Sequence, residues 1–157
     1  MHPTTITVDI AKNVFQIAVS RRRAQVTEEH RITRKNLLQF FAQQPKATVV
    51  LEACGSAHYW GRQLRELGHE PVLLPPKHVK PHRRGQKNDR NDAKAILEAY
   101  LNTSIKPVPI KTEQQQTLTA LHRLRSQWKD DRTARINGVR GILREFGFSI
   151  PVGAKNV

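Results

Sequence analysis

The sequence predicts an α/β fold, with a mixed sheet flanked by helices and then a long C-terminal helix. Three observations carry this. Residues 4–33 hold three short runs in which β-branched and apolar residues alternate with polar ones. Residues 34–75 then switch back and forth between helical and strand spacing. Residues 113–146 keep one charged, helical pattern throughout.

Each element follows in order. "TTITVDI" (4–10) reads as a strand, "AKN" (11–13) as a turn and "VFQIAVS" (14–20) as the antiparallel partner. "RRRA" (21–24) turns the chain into "QVTEEHRIT" (25–33), a polar strand suited to a sheet edge. "RKNLLQFFAQQ" (34–44) has an apolar helical face of Leu37, Leu38, Phe40 and Phe41. "KATVVLEA" (46–53) is a short apolar strand, and "SAHYWGRQLRELG" (56–68) a helix with Ser56 as N-cap and Gly68 just past its end. "HEPVLLP" (69–75) is a further strand, "KHVKPHRRGQKN" (77–88) an irregular basic segment, and "DRNDAKAILEAYLN" (89–102) a helix. "TSIKPVPIKT" (103–112), with Pro107 and Pro109, reads as a linker. Along the last helix Leu118, Leu121, Leu124, Trp128, Ile136, Val139, Leu143 and Phe146 form an apolar stripe, which Asp131, Arg132 and Gly138 interrupt.

Charge narrows the partners. The chain has 27 lysines and arginines against 13 acids, a formal net charge of +14. Such an excess favours a polyanion through counterion release, and nucleic acid is the first candidate. A basic surface kept for solubility is the competing reading. Cys54 is the single cysteine, which excludes an internal disulfide and fits a reducing cytosol. "MHPTTITVDIA" lacks the pattern of a signal peptide, and no apolar run approaches spanning length. The expectation is a cytoplasmic protein without a membrane partner.

Four acids stand out by position. Asp89 and Asp92 open a helix three residues apart, where they serve as cap and first-turn acid. That spacing also puts both carboxylates on one face, a like-charge pairing that a cation would relieve. Asp9 is the one charged residue of the first strand, and Glu52 ends the short strand "TVVLE". Strand ends beside helix starts are where ligands collect in such sheets. Each acid alone reads equally as a solvated end. Together, Asp9, Glu52, Asp89 and Asp92 suit an oxygen-only site for Mg²⁺ or Mn²⁺, the kind that clamps the oxygens of a phosphodiester displacement. Lys77, Lys80, Arg83, Arg84, Lys87 and Arg90 form a basic run leading to them. It reads as a contact to a nucleic-acid backbone, or as a solvated loop.

"TVDIAKNVFQIAV", "VLEACGSAHYWGRQL" and "KNDRNDAKAI", in this order and spacing, resemble the N-terminal domain of insertion-sequence 110/1111 type transposases. The resemblance spans residues 1 to about 150 and implies a RuvC-like, ribonuclease H-type fold with an Asp-Glu-Asp-Asp metal site. Asp9, Glu52, Asp89 and Asp92 take those four positions, as ligands and catalytic carboxylates. It further implies DNA transposition dependent on Mg²⁺, a structured guide RNA in members that use one, and homo-oligomers formed through the C-terminal helix. The organisation it implies is a metal-binding domain over 1–105, a linker over 106–112 and the start of a coiled-coil region over 113–157. Family members continue into a second domain with a nucleophilic serine. No serine here takes that role, so the expectation is a chain truncated before that domain. A nucleic-acid-binding remnant without chemistry and a stand-alone RuvC-like nuclease are the other two readings.

Overall fold

A computed structural model describes residues 4–22, 25–83 and 89–153, without the side chains of residues 89–91. The three alternating segments form an antiparallel meander of β1 (Thr5–Asp9), β2 (Val14–Ser20) and β3 (Glu28–Thr33). Short turns force this, because a chain that reverses in a few residues can only pair antiparallel. β3 begins at Glu28, three residues later than the polar segment starts, and most of its positions are partly or fully exposed. α1 (Leu37–Ala42) then crosses over to β4 (Thr48–Glu52), and α2 (Ala57–Glu66) to β5 (Glu70–Leu74). Both later strands pair in parallel, giving the order β3-β2-β1-β4-β5. This mixed sheet with flanking helices is the ribonuclease H-type arrangement.

The sheet separates two cores. Ile6, Val8, Phe15, Ile17, Val49, Leu51 and Leu73 pack with Leu37, Phe41, Trp60 and Leu64 of α1 and α2. On the opposite face, Val50 and Leu74 pack with Val79, Ala95, Ile96 and Ala99. The last three belong to α4 (Asp89–Leu101), and Val79 ends α3 (Pro76–Val79). The basic segment therefore starts as a helical turn followed by a 3-10 turn over Lys80–His82, rather than as irregular chain. Pro76 at the first turn tolerates its missing N–H, and burial of Val79 anchors the turn. α4 is tied to the sheet by the Thr7 hydroxyl, which donates to the Ala93 carbonyl at 2.9 Å, and by the Lys94–Glu29 ion pair at 3.3 Å.

Two helix ends were read from residue type. Gly68 stands just past α2 with φ +82°, a left-handed conformation that glycine adopts without steric cost. Ser56 does precede α2, but its hydroxyl makes no cap bond. The reason is its backbone: φ +66° is left-handed, whereas a capping residue is extended. Trp60 belongs to the core, while Tyr59 next to it is exposed.

The segment read as a linker is partly docked. Val108 bridges to Leu73 at the free edge of β5. Ile110 packs over Gly61 so closely that a Cβ there would lie 2.8 Å from its Cδ1. The first compact unit accordingly runs from Met1 to Ile110, and the second from Lys111 to Val157. The second unit consists mainly of α5 (Glu113–Glu145), 33 residues long and unbroken at Asp131, Arg132 and Gly138. Thr112 caps it in a reciprocal box with Gln115: its Oγ1 accepts from the Gln115 amide at 3.2 Å, and its amide donates to Gln115 Oε1 at 3.0 Å. Behind the helix, Arg140 donates to the carbonyls of Pro151 and Gly153, both at 2.7 Å, and folds the tail back. Among the described residues, no helix is long and apolar enough to cross a membrane.

Candidate functional site

Strand alternation decides which face each acid occupies. On β1, Thr7 faces α4, so Asp9 two residues on takes the same face. On β4, Val50 packs toward α4, which places Glu52 on that face too. Val8 pairs with Leu51 in parallel register. The next positions, Asp9 and Glu52, end neighbouring strands roughly 5 Å apart. Asp92, in the first turn of α4 and directly before the tethered Ala93, meets the same sheet end. Asp89 lies one turn earlier on α4. Its side chain, and with it the capping role read for it, falls outside the described residues.

Burial raises the stakes for these charges. The side chains of Glu52 and Asp92 are only 11% and 9% exposed. Carboxylates so nearly removed from water need a compensating charge. Arg83 supplies it. Its Nη2 donates to Glu52 Oε2 at 2.7 Å, and its Nε lies 3.1 Å from Asp92 Oδ1. The second contact is an ion pair only, since Nε is buried and off the line of a hydrogen bond. One positive charge thus serves two buried negative ones.

A third charge is felt at the same place. The Cys54 thiol is pushed above its ordinary pKa, first by desolvation, then by the negative charges of Glu52 and of Asp9. The Cys54 amide donates to the Glu52 carbonyl at 2.8 Å, so the chain turns sharply beneath the thiol. Among the described residues, however, no three His, Cys, Asp or Glu side chains converge closely enough to hold a metal ion.

The chemistry of the donors still fits a hard divalent cation. The acids Asp9, Glu52 and Asp92 offer oxygen only, the donor type that such an ion prefers. Of the basic run, Lys77 and Lys80 stand exposed on α3 and the turn after it. Arg83 points into the acids, and Arg84 and Lys87 lie outside the described residues, as does the side chain of Arg90. Sequence reasoning missed that Arg83 joins the acids, since nothing in "HRRG" separates it from Arg84.

Fold and site together define the class: a mixed five-stranded sheet of the ribonuclease H type flanked by helices, with acids at the carboxyl ends of its central strands. The transposase family model DEDD_Tnp_IS110 matches residues 6–148. A probable family 20 transposase of Pseudomonas aeruginosa is 46% identical over 147 residues, 94% of this chain and 44% of the relative. The transposase for insertion sequence element IS1111A of Coxiella burnetii is 41% identical over 148 residues, 94% of this chain and 41% of that protein. The chain belongs to this insertion-sequence 110/1111 transposase family, and it spans less than half the length of these relatives. Among solved structures it is similar to Thermus thermophilus RuvC in complex with a Holliday junction substrate. That match has a TM-score of 0.43 and 13% identity, and it covers 68% of this chain and 100% of RuvC.

Proposed function

We propose that this chain is the metal- and nucleic-acid-binding N-terminal part of a transposase, taking part in DNA cleavage and recombination during transposition. The observation that carries the reading is the gathering of Asp9, Glu52 and Asp92 at one end of the sheet, within a chain that matches the transposase family. Asp89, one turn before Asp92, completes the four-carboxylate set. Mg²⁺ or Mn²⁺ held there would stabilise charge on a phosphodiester undergoing in-line displacement. The protein's own work is positional. β1 and β4 present Asp9 and Glu52 side by side, and the Thr7 tether holds the start of α4 against them. Lys77 and Lys80, with Arg84, Lys87 and Arg90, bring a phosphate backbone, of DNA or of a structured guide RNA, to that edge. A second copy of the chain pairs along α5.

Thermal melting with and without metal tests the site. A ligand at a hundred times its Kd stabilises the native state by about 2.7 kcal/mol, or several degrees for a domain of this size. Mg²⁺ or Mn²⁺ raises the melting temperature of the wild type and leaves Asp9→Asn nearly unchanged. Equal responses of the two proteins would sink the four-acid site.

A further inference from the structure

We propose that Arg83 is a built-in counter-cation: it neutralises Glu52 and Asp92 in the metal-free protein and has to leave before a divalent ion can bind. The inference rests on the four-carboxylate reading above and concerns how that site is filled. Three observations carry it. Arg83 spans the two acids with two different nitrogens, at 2.7 Å to Glu52 and 3.1 Å to Asp92. Those acids are nearly buried, where a carboxylate needs an opposite charge, and among the described residues Arg83 is the cation paired with both. Finally, among the described residues no three His, Cys, Asp or Glu side chains stand grouped as a metal ion would need them.

The distances show why the two cations exclude each other. Mg²⁺ binds oxygen at about 2.0–2.1 Å, with all ligands around one centre. A guanidinium is planar and holds its partners at hydrogen-bond length on atoms that are themselves apart. To share one such ion, Glu52 and Asp92 would have to come together where the Arg83 guanidinium now contacts both. Release from this half-buried place is feasible: the Arg83 side chain is already 31% exposed, and its Nε gains no hydrogen bond where it sits. The exchange replaces one positive charge by two beside the two carboxylates that Arg83 spans.

Metal affinity is the deciding measurement, read by the fall in free Mn²⁺ signal in electron paramagnetic resonance. Arg83→Gln melts lower than the wild type without metal, yet binds Mn²⁺ with about tenfold lower Kd, because nothing has to be displaced. Arg83→Lys keeps the charge but cannot span both acids, and falls between the two. If Arg83→Gln does not fold, Arg83→Lys and a titration of the wild type still decide the matter. In that titration the Arg83 Nε–H resonance, protected without metal, becomes exchange-broadened as Mg²⁺ saturates the site. Unchanged Mn²⁺ affinity in the variants, or an Arg83 resonance that ignores Mg²⁺, overturns the proposal while leaving the metal site intact. If neither wild type nor variants bind Mn²⁺, the four-carboxylate reading fails and takes the exchange with it.

Discussion

At the scale of single residues, the end of β4 is where position and charge meet. Glu52 closes an apolar strand, and Cys54 lies just beyond it in the sharp turn toward α2. A thiol whose pKa is raised stays protonated further into the alkaline range, so less thiolate is available at a given pH. Alkylation of Cys54 by iodoacetamide at about pH 8 is therefore slow in the wild type. Removing a neighbouring negative charge, by Glu52→Gln or Asp9→Asn, lowers the thiol pKa and speeds the reaction. Unchanged rates in both variants would mean that neither carboxylate acts on the sulfur. His69 illustrates a different kind of constraint. Its Nδ1 accepts from the Ala47 amide at 3.3 Å while Nε2 donates to the Phe41 carbonyl at 3.0 Å, which fixes one neutral tautomer inside the core.

At the scale of elements, α5 is the clearest test of local physics, because none of its residues is buried within the chain. Within one copy its stability therefore depends largely on propensity and capping. Thr112→Ala removes the hydroxyl that accepts from the Gln115 amide, while the backbone amide of residue 112 can still donate to Gln115 Oε1, and costs about 1 kcal/mol of helix stability. Gly138→Ala places a methyl in open space and gains roughly 0.5–1 kcal/mol. Amide exchange along α5 measures both effects, with faster exchange in the first variant and slower in the second. A slowed exchange in Thr112→Ala would show that the cap is not what holds the first turn. α4 presents the opposite case: Ala95, Ile96 and Ala99 pack on the sheet, so tertiary burial dominates and single surface changes matter little.

At the scale of the whole molecule, two surfaces stand out, the acidic sheet end and the apolar stripe of α5. Leu118, Leu121, Leu124, Trp128, Val139, Ile142 and Phe146 are all exposed, Trp128 by 68%. At about 100° per residue they fall within roughly a third of the helix circumference. A stripe of this length left in water favours association, and a second α5 offers a matching one. The expected outcome in light scattering is assemblies larger than one copy for the chain, shifted to monomer by the double variant Leu121→Lys, Trp128→Glu. Both substituted side chains are exposed, so the variant removes apolar surface without opening a core. A wild type that runs as a monomer at all concentrations would remove the second copy from the proposal.

The sequence by itself determined the order of elements, the two crossovers and the family, because apolar periodicity and motif spacing are local properties. It also marked Asp9, Glu52, Asp89 and Asp92, since a charge at the end of an apolar strand or the start of a helix is visible without a fold. Some local features escaped it. The first turn of α3 was hidden by prolines that suit a helix start as well as a loop, and Ser56 looked like a cap until its left-handed backbone was known. Only the tertiary structure decided that Asp9 and Glu52 share the α4 face, since that depends on parallel register between strands some forty residues apart. Only it took Arg83 out of the basic run and set it between two buried carboxylates. The physical reason is that desolvation is a property of the packed molecule. In the chain Arg83 is one cation among many, and burial of Glu52 and Asp92 makes it, among the described residues, the one that pairs with both.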